Sequence, residues 1–181
     1  MSVTTLEEDG VRVGLVSDTH GLLRPEALAA LAGSDAIVHA GDIGSGDVLE
    51  ALAQIAPLHA VRGNNDGDAW ASSLPETLTV DIGGRRLYVL HDVSDLRIDP
   101  RSMNIDVVVS GHSHRPRCET RNGVLFVNPG SAGPRRFSLP VCVAQLSIRA
   151  KHLDAVIVTL DVAPPRRRAA PASMPPRASS P

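Results

Sequence analysis

The sequence predicts an α/β domain in which two β-sheets pack face to face, and three observations carry that prediction. Val-rich apolar runs alternate with amphipathic segments over residues 11–61, the signature of strands joined by helical crossovers. After Asp66 nearly every recognisable segment is a strand, several of them paired across turn dipeptides. The chain has 181 residues, of which 43% are hydrophobic, enough for one ordinary core and too few for two.

Val11 to Ser17 is a Val-rich run bounded by Asp18 and reads as a strand buried on both faces. Pro25 opens a helix over Glu26 to Leu31, with Gly33 just beyond its end. Ala36 to Ala40 is a second buried strand, Asp47 to Ala56 a second helix and Leu58 to Val61 a third strand. This alternation implies parallel pairing through right-handed crossovers, with helices on the outer side of at least this sheet. Glu76 to Ile82 and Arg85 to Leu90 form a hairpin across Gly83-Gly84. Asp106 to Ser110 is a short strand, a second hairpin turns at Asn122-Gly123, and strands over Val141 to Arg149 and Leu153 to Leu160 end the patterned chain. The domain is therefore expected over 11–163, preceded by an extension at 1–10 and followed by a disordered Pro- and Arg-rich tail at 164–181.

Composition removes several function classes. No apolar run approaches the roughly 20 residues of a membrane span, and the acidic start does not resemble a signal peptide, so a cytoplasmic protein is expected. Cys118 and Cys142 form no CxxC pair and read as reduced thiols. The net charge of −2 is uneven: Arg166, Arg167, Arg168 and Arg177 crowd the tail, leaving 14 basic against 20 acidic residues elsewhere, about −6. An acidic body with few aromatics is a poor nucleic-acid surface, and three arginines on a Pro-rich tail suggest solubility more than binding. If the substrate is an anion, positive charge has to come from outside the sequence.

Chemistry gathers where strands end. Asp18 and His20 follow the first strand, Asp42 the second, Asn64 the third, His91 the Arg85 to Leu90 strand, and His112 and His114 the Asp106 to Ser110 strand. Parallel strands bring such ends to one edge, where open α/β folds bind ligands. Asp18 and His20, like His112 and His114, stand two apart, and in an extended segment would point to the same side. Gly41, Gly63 and Gly111 suit close backbone approach. Each motif alone is weak, whereas their conjunction is specific. Seven N/O donors exceed one four-coordinate zinc and suit two cations about 3.5–4 Å apart, with Asp42 as the natural bridge. The donor types favour Mn, Fe, Zn, Ni or Co. Two dications also supply the missing positive charge, which makes a phosphate ester the leading substrate.

Asp18-Thr19-His20, Gly41-Asp42, Gly63-Asn64-Asn65-Asp66, His91 and Gly111-His112-Ser113-His114 resemble, in order, the motifs of the calcineurin-like metallophosphoesterases. The Asn128-Pro129-Gly130-Ser131 loop and the small size are similar to the YfcE-type bacterial and archaeal phosphodiesterases. The resemblance implies a four-layer α/β/β/α sandwich of two mixed sheets and a dinuclear centre supported by Mn. It assigns Asp18, His20 and His114 to one metal and Asn64, His91 and His112 to the other, with Asp42 between them. It also implies in-line attack on phosphorus by a metal-bridging hydroxide. Asp42, Asn64 and His112 then carry catalysis, and Asn64, Asn65 and Arg136 hold the phosphoryl group of a small phosphate ester, in a monomer or small homo-oligomer. A rival from another class is a non-catalytic interaction scaffold on the same fold, as in the retromer subunit that resembles these enzymes.

Many larger relatives read G-N-H-[DE], with a His able to protonate the leaving oxygen, where this chain has Asn65. An amide cannot act as a general acid, so substrates with acidic leaving groups are expected to be preferred. The short stretch between His91 and Gly111 predicts a small cap and an open cleft. Other features carry two readings: His39 as a satisfied core histidine or a support of the site, and Asp66 as a ligand-orienting carboxylate or a turn cap. The loop 128–133, with Arg135 and Arg136, is either a phosphate cradle or a strand connection. Trp70 belongs to the core or to the cleft, and His59 and His152 are given no function.

Overall fold

Val11–Val16 (β1) is the strand around which the first sheet forms, because its side chains alternate between two apolar layers. In the computed structural model, residues 10–136, 138–150 and 152–162 are described. β1 pairs in parallel with Ala36–His39 (β2), and β2 in parallel with Leu58–Ala60 (β3). The crossovers are Pro25–Leu31 (α1) and Gly46–Ala53 (α2). On its other side β1 pairs antiparallel with a later strand, Cys142–Arg149, which pairs in turn with His152–Thr159.

The second sheet begins with Thr77–Ile82 (β4) and Arg85–Leu90 (β5), joined across Gly83-Gly84, both at positive φ as a tight hairpin turn demands. Val107–Val109 (β6) pairs in parallel with β5. Arg117–Arg121 (β7) and Val124–Asn128 (β8) form the hairpin across Asn122-Gly123, and β8 lies parallel to β6. With Cys142–Arg149 as β9 and His152–Thr159 as β10, the sheet orders are β10-β9-β1-β2-β3 and β4-β5-β6-β8-β7, five strands each and both mixed.

Between the sheets lies one core, with Val13, Leu15 and Val38 facing Leu87, Val89, Val107 and Val109, all essentially inaccessible. Full burial of each such side chain contributes about 1.5–3 kcal/mol. A second core lies under the helices, where Ala27 and Leu31 of α1 and Val48 and Leu52 of α2 recur at i, i+4. Trp70 packs against this helix-side core. α2 stops at Ala53, short of the expected Ala56, because Pro57 has no N–H to return to Ala53 O and disfavours helical backbone at Ala56.

Both α-helices serve the first sheet. Among the described residues no α-helix covers the outer face of the second sheet, where the four-layer expectation places one. Leu90, Ile105, Val108 and Val124 are instead roofed by Leu96 and Ile98 of the irregular segment 91–106, whose only regular piece is a 3₁₀ turn at Val93–Asp95. Asp92, Asp95, Asp99, Pro100 and Asn104 favour turns there over a helix.

Cys118 and Cys142 are both free. No helix among the described residues is long and apolar enough to cross a membrane. The expectations for the tail 164–181, and for the extension apart from Gly10, lie outside the described residues.

Candidate metal centre

The parallel strands of both sheets end at the same edge, and the loops leaving them carry all seven predicted donors. Asp18 and His20 leave β1, Asp42 leaves β2, Asn64 follows β3, His91 follows β5, and His112 and His114 follow β6. The paired donors do not lie in extended backbone, as the spacing argument expects. Asp18, His20, Asp42, His112 and His114 all adopt left-handed φ, between 47° and 65°. The bends aim these side chains, and each costs of order 1–3 kcal/mol that the surrounding packing must offset. Glycines let the loops close on one another: a methyl group at Gly63 would collide with Asp42 Oδ1, and one at Gly111 with Ser17 Oγ.

Two groups of ligand atoms result, each mutually within 4.8 Å: Asp18, His20 and His114, and Asp18, Asp42 and His91. Asp42 Oδ2 lies 3.8 Å from His20 Nε2 and 3.4 Å from His91 Nε2, so it reaches both sides of the cluster. Asn64 Oδ1 is 3.1 Å from His112 Nδ1, and the His112 ring stands edge-on to His91 at 5.2 Å. His112 is the most open of the four histidines, its side chain 46% exposed, and Asn64 is exposed beside it.

The centre fits divalent cations on its own chemistry. Asp18 Oδ1, His91 Nε2 and His114 Nδ1 are buried without a hydrogen-bond partner, a state that ordinarily costs about 1–3 kcal/mol per group. His91 Nδ1 donates to Ala40 O at 2.7 Å, which leaves the Nε2 lone pair facing Asp42 Oδ2. A proton or a cation must stand between them. Burial works against the imidazolium, but the Asp42 carboxylate beside it and the hydrogen bond to Ala40 O raise the His91 pKa. Burial also opposes ionisation of Asp42, yet the adjacent His91 and hydrogen bonds from Asn65 hold it well below the usual carboxylate range. For Asp18 burial wins and the pKa rises, despite the Ser17 hydroxyl at 2.7 Å and the neighbouring histidines.

Supporting residues resolve most of the open readings. His39 is fully buried and satisfied; Gly41 N–H donates to Nδ1 at 3.2 Å, while Nε2–H donates to Thr19 Oγ1 at 3.0 Å, tying the β1 and β2 loops together. Asp66 accepts three backbone N–H bonds, from Ile43, Gly44 and Gly63, and clamps the β2 and β3 loops. The 128–133 loop is a brace: Ser131 Oγ donates to Asp18 O, Ala132 N–H to Ser17 O and Gly130 N–H to Asn128 Oδ1. Arg135 turns to Val162 O. Asn65, expected on phosphate, spends its amide on Asp42. Arg136 is exposed and lies near enough to His114 to add to the lowering of its pKa that burial begins. His59 is half-buried on β3 and His152 exposed on β10, away from these contacts.

One participant was not singled out by the sequence. Asp92 Oδ1 accepts Ser94 N–H at 2.9 Å, which leaves Oδ2 facing His112 Nε2 at 3.5 Å. Its only signal was a carboxylate adjoining His91.

Residues 11–151 match the family model for the calcineurin-like phosphoesterase superfamily domain, a span that contains every one of these donors. The chain belongs to the calcineurin-like phosphoesterase superfamily. Within it, the chain is 33% identical over 158 residues to a probable metallophosphoesterase of Methanothermobacter thermautotrophicus, covering 81% of this chain and 91% of that one. It is 29% identical over 139 residues to a phosphodiesterase of Methanocaldococcus jannaschii, covering 66% and 83%. The fold is also that of Vacuolar Protein Sorting 29 from Cryptosporidium parvum, with a TM-score of 0.66 at 22% identity over 83% of this chain and 98% of that chain. The family is one of metal-dependent phosphoesterases, and this chain carries candidate metal-ligand groups.

Proposed function

We propose that this calcineurin-like phosphoesterase hydrolyses phosphodiesters with two divalent cations, manganese foremost, in the cytoplasm. The observation that carries the reading is the convergence of Asp18, His20, Asp42, His91 and His114, with the Asn64–His112 pair beside His91, in a cluster where buried Asp18 Oδ1 and His91 Nε2 lack a hydrogen-bond partner. Asp18, His20 and His114 would hold one cation and Asn64, His91 and His112 the other, with Asp42 reaching both. The likeness to an archaeal phosphodiesterase supports the diester preference. The complete donor set favours an enzyme over a scaffold, and the two free thiols suit a reducing compartment.

When bound, the cations would supply a hydroxide nucleophile near neutral pH and neutralise charge on the phosphoryl oxygens. The chain does the rest. Asn64 and the open face of His112 meet the phosphoryl group, and Arg136 adds a mobile positive charge at the His114 side. Asn65 fixes Asp42 and provides no proton to the departing oxygen.

The test is metal analysis of the purified protein, followed by a screen of mono-, di- and cyclic nucleotide esters. Two equivalents of metal and diester turnover that chelation abolishes are expected. A protein that binds no Mn²⁺, or a metal-loaded protein inert on every diester, would overturn the reading.

A further inference from the structure

Two clefts of opposite charge open beside the centre, adjoining each other at the 92–95 turn and at His112-Ser113. One, about 420 Å³, opens beside Asn64, His91 and His112, and is lined by Glu76, Asp92 and Asp95 against the single cation Arg62, itself paired with Glu76. The other, about 460 Å³, adjoins the centre: its lining includes Ser113, between His112 and His114, and Asn128, whose Nδ2 donates to Gly111 O. Its polar wall holds Arg115, Arg117 and Arg121 against one carboxylate, Glu119, and its apolar wall holds Val93, Pro116 and Phe126. Arg117 Nη2 is 2.6 Å from Glu119 Oε2, and Arg121 pairs with the same carboxylate while its guanidinium lies 4.9 Å above the Phe126 ring. Arg115 is exposed and, among the described residues, pairs with no carboxylate.

A cationic surplus in this one groove, within a body carrying about −6, requires an explanation. The groove exists because no helix roofs the outer face of the second sheet, and its volume lies within the range of small-molecule sites. Its apolar wall suits a planar organic group and its arginines an anion attached to that group. The neighbouring acidic cleft repels the same anion. A diester lying across the centre is therefore oriented.

We infer that the arginine cleft is a subsite for the anionic aromatic arm of the substrate, of the kind a nucleoside phosphate presents. The inference rests on the phosphodiesterase reading and deepens it. Arg115 supplies the free charge, and Phe126 with Pro116 the apolar contact.

The test measures calorimetric binding of a 5′-phosphorylated dinucleotide phosphorothioate to the full, Mn²⁺-loaded chain. Arg115→Glu is expected to weaken Kd about tenfold or more, the loss of one charge-assisted contact, while Arg115→Lys recovers most of it. In parallel, the kcat/KM ratio of a nucleotide p-nitrophenyl diester over bis(p-nitrophenyl) phosphate should fall about tenfold in Arg115→Glu. Dinucleotide affinity that is absent, or indifferent to the charge at position 115, overturns the subsite whatever the hydrolysis shows. Affinity that depends on Arg115 in a protein unable to cleave bis(p-nitrophenyl) phosphate upholds the subsite and overturns the phosphodiesterase reading.

Discussion

Asn65 grips both oxygens of Asp42: its backbone N–H donates to Oδ1 at 2.9 Å and its side-chain Nδ2 to Oδ2 at 2.6 Å. The residue that stands where many relatives carry a His thus orients the carboxylate that reaches both halves of the centre. Removing the amide in Asn65→Ala is expected to weaken Mn²⁺ binding about 10- to 100-fold, the usual cost of losing a ligand's supporting hydrogen bond. Calorimetric titration with Mn²⁺ reads this directly, and unchanged affinity would show that Asp42 holds its place without help.

With the Asn65 amide committed to Asp42, no general acid stands at that position. General-acid assistance is worth about 10²–10⁴-fold, so esters whose leaving group needs protonation should lag by about that much. Steady-state rates for p-nitrophenyl and alkyl diesters of matched size compare the two. Similar rates would mean that another group delivers the proton.

Asp42→Asn removes a charge from both sides of the cluster at once, since Oδ2 faces both His20 and His91. Turnover should fall to background, and bound metal below two equivalents by elemental analysis. A variant that keeps both metals would contradict the bridging role.

Asp92 backs His112 across 3.5 Å with one oxygen already anchored by Ser94 N–H. Asp92→Ala should lower Mn²⁺ affinity about 10-fold or more, with Asp92→Asn intermediate because it retains the shape and loses the charge. Equal affinities in all three proteins would reduce Asp92 to a cap of the turn that follows it.

His39 links folding to pH. Burial, with the nearby His91 charge adding to it, lowers its folded pKa to about 3 from an ordinary 6.5. Between these values the unfolded chain takes up a proton that the folded chain refuses, so stability should be full above about pH 6.5 and decline as pH falls towards 3. The slope from this group approaches about 1.4 kcal/mol per pH unit. Urea unfolding across that window should show a shallower decline for His39→Gln than for the native chain, together with lower stability at pH 7 from the lost Gly41 hydrogen bond. Parallel pH profiles would place the acid sensitivity elsewhere.

Much of this was readable in one dimension. Gly83-Gly84 and Asn122-Gly123 mark hairpins because their turns demand positive φ at consecutive residues, a requirement local to the dipeptide. The candidate donors were identifiable because each follows a strand pattern, and the end of a parallel strand is where a side chain can leave the sheet. The end of α2 lies three residues before Ala56 because Pro57, beyond the amphipathic pattern, supplies no N–H to a further turn. The bends at Asp18, His20, Asp42, His112 and His114 were not legible, since nothing in Asp or His demands a left-handed backbone.

The sequence by itself determined the strands, the two glycine-bearing hairpins and the identity of the seven donors, because periodicity, turn chemistry and ligand type are properties of short segments. Only the tertiary structure decided that the edges of two different sheets meet. That meeting places Asp18 beside His114 and turns the 128–133 loop into a brace for Asp18, while the pairing of β2 with β3 commits Asn65 to Asp42, and an arginine-lined groove comes to lie beside an acidic one. These relationships join residues far apart along the chain, and their distances depend on how the shared core draws the sheets together, which no local pattern encodes.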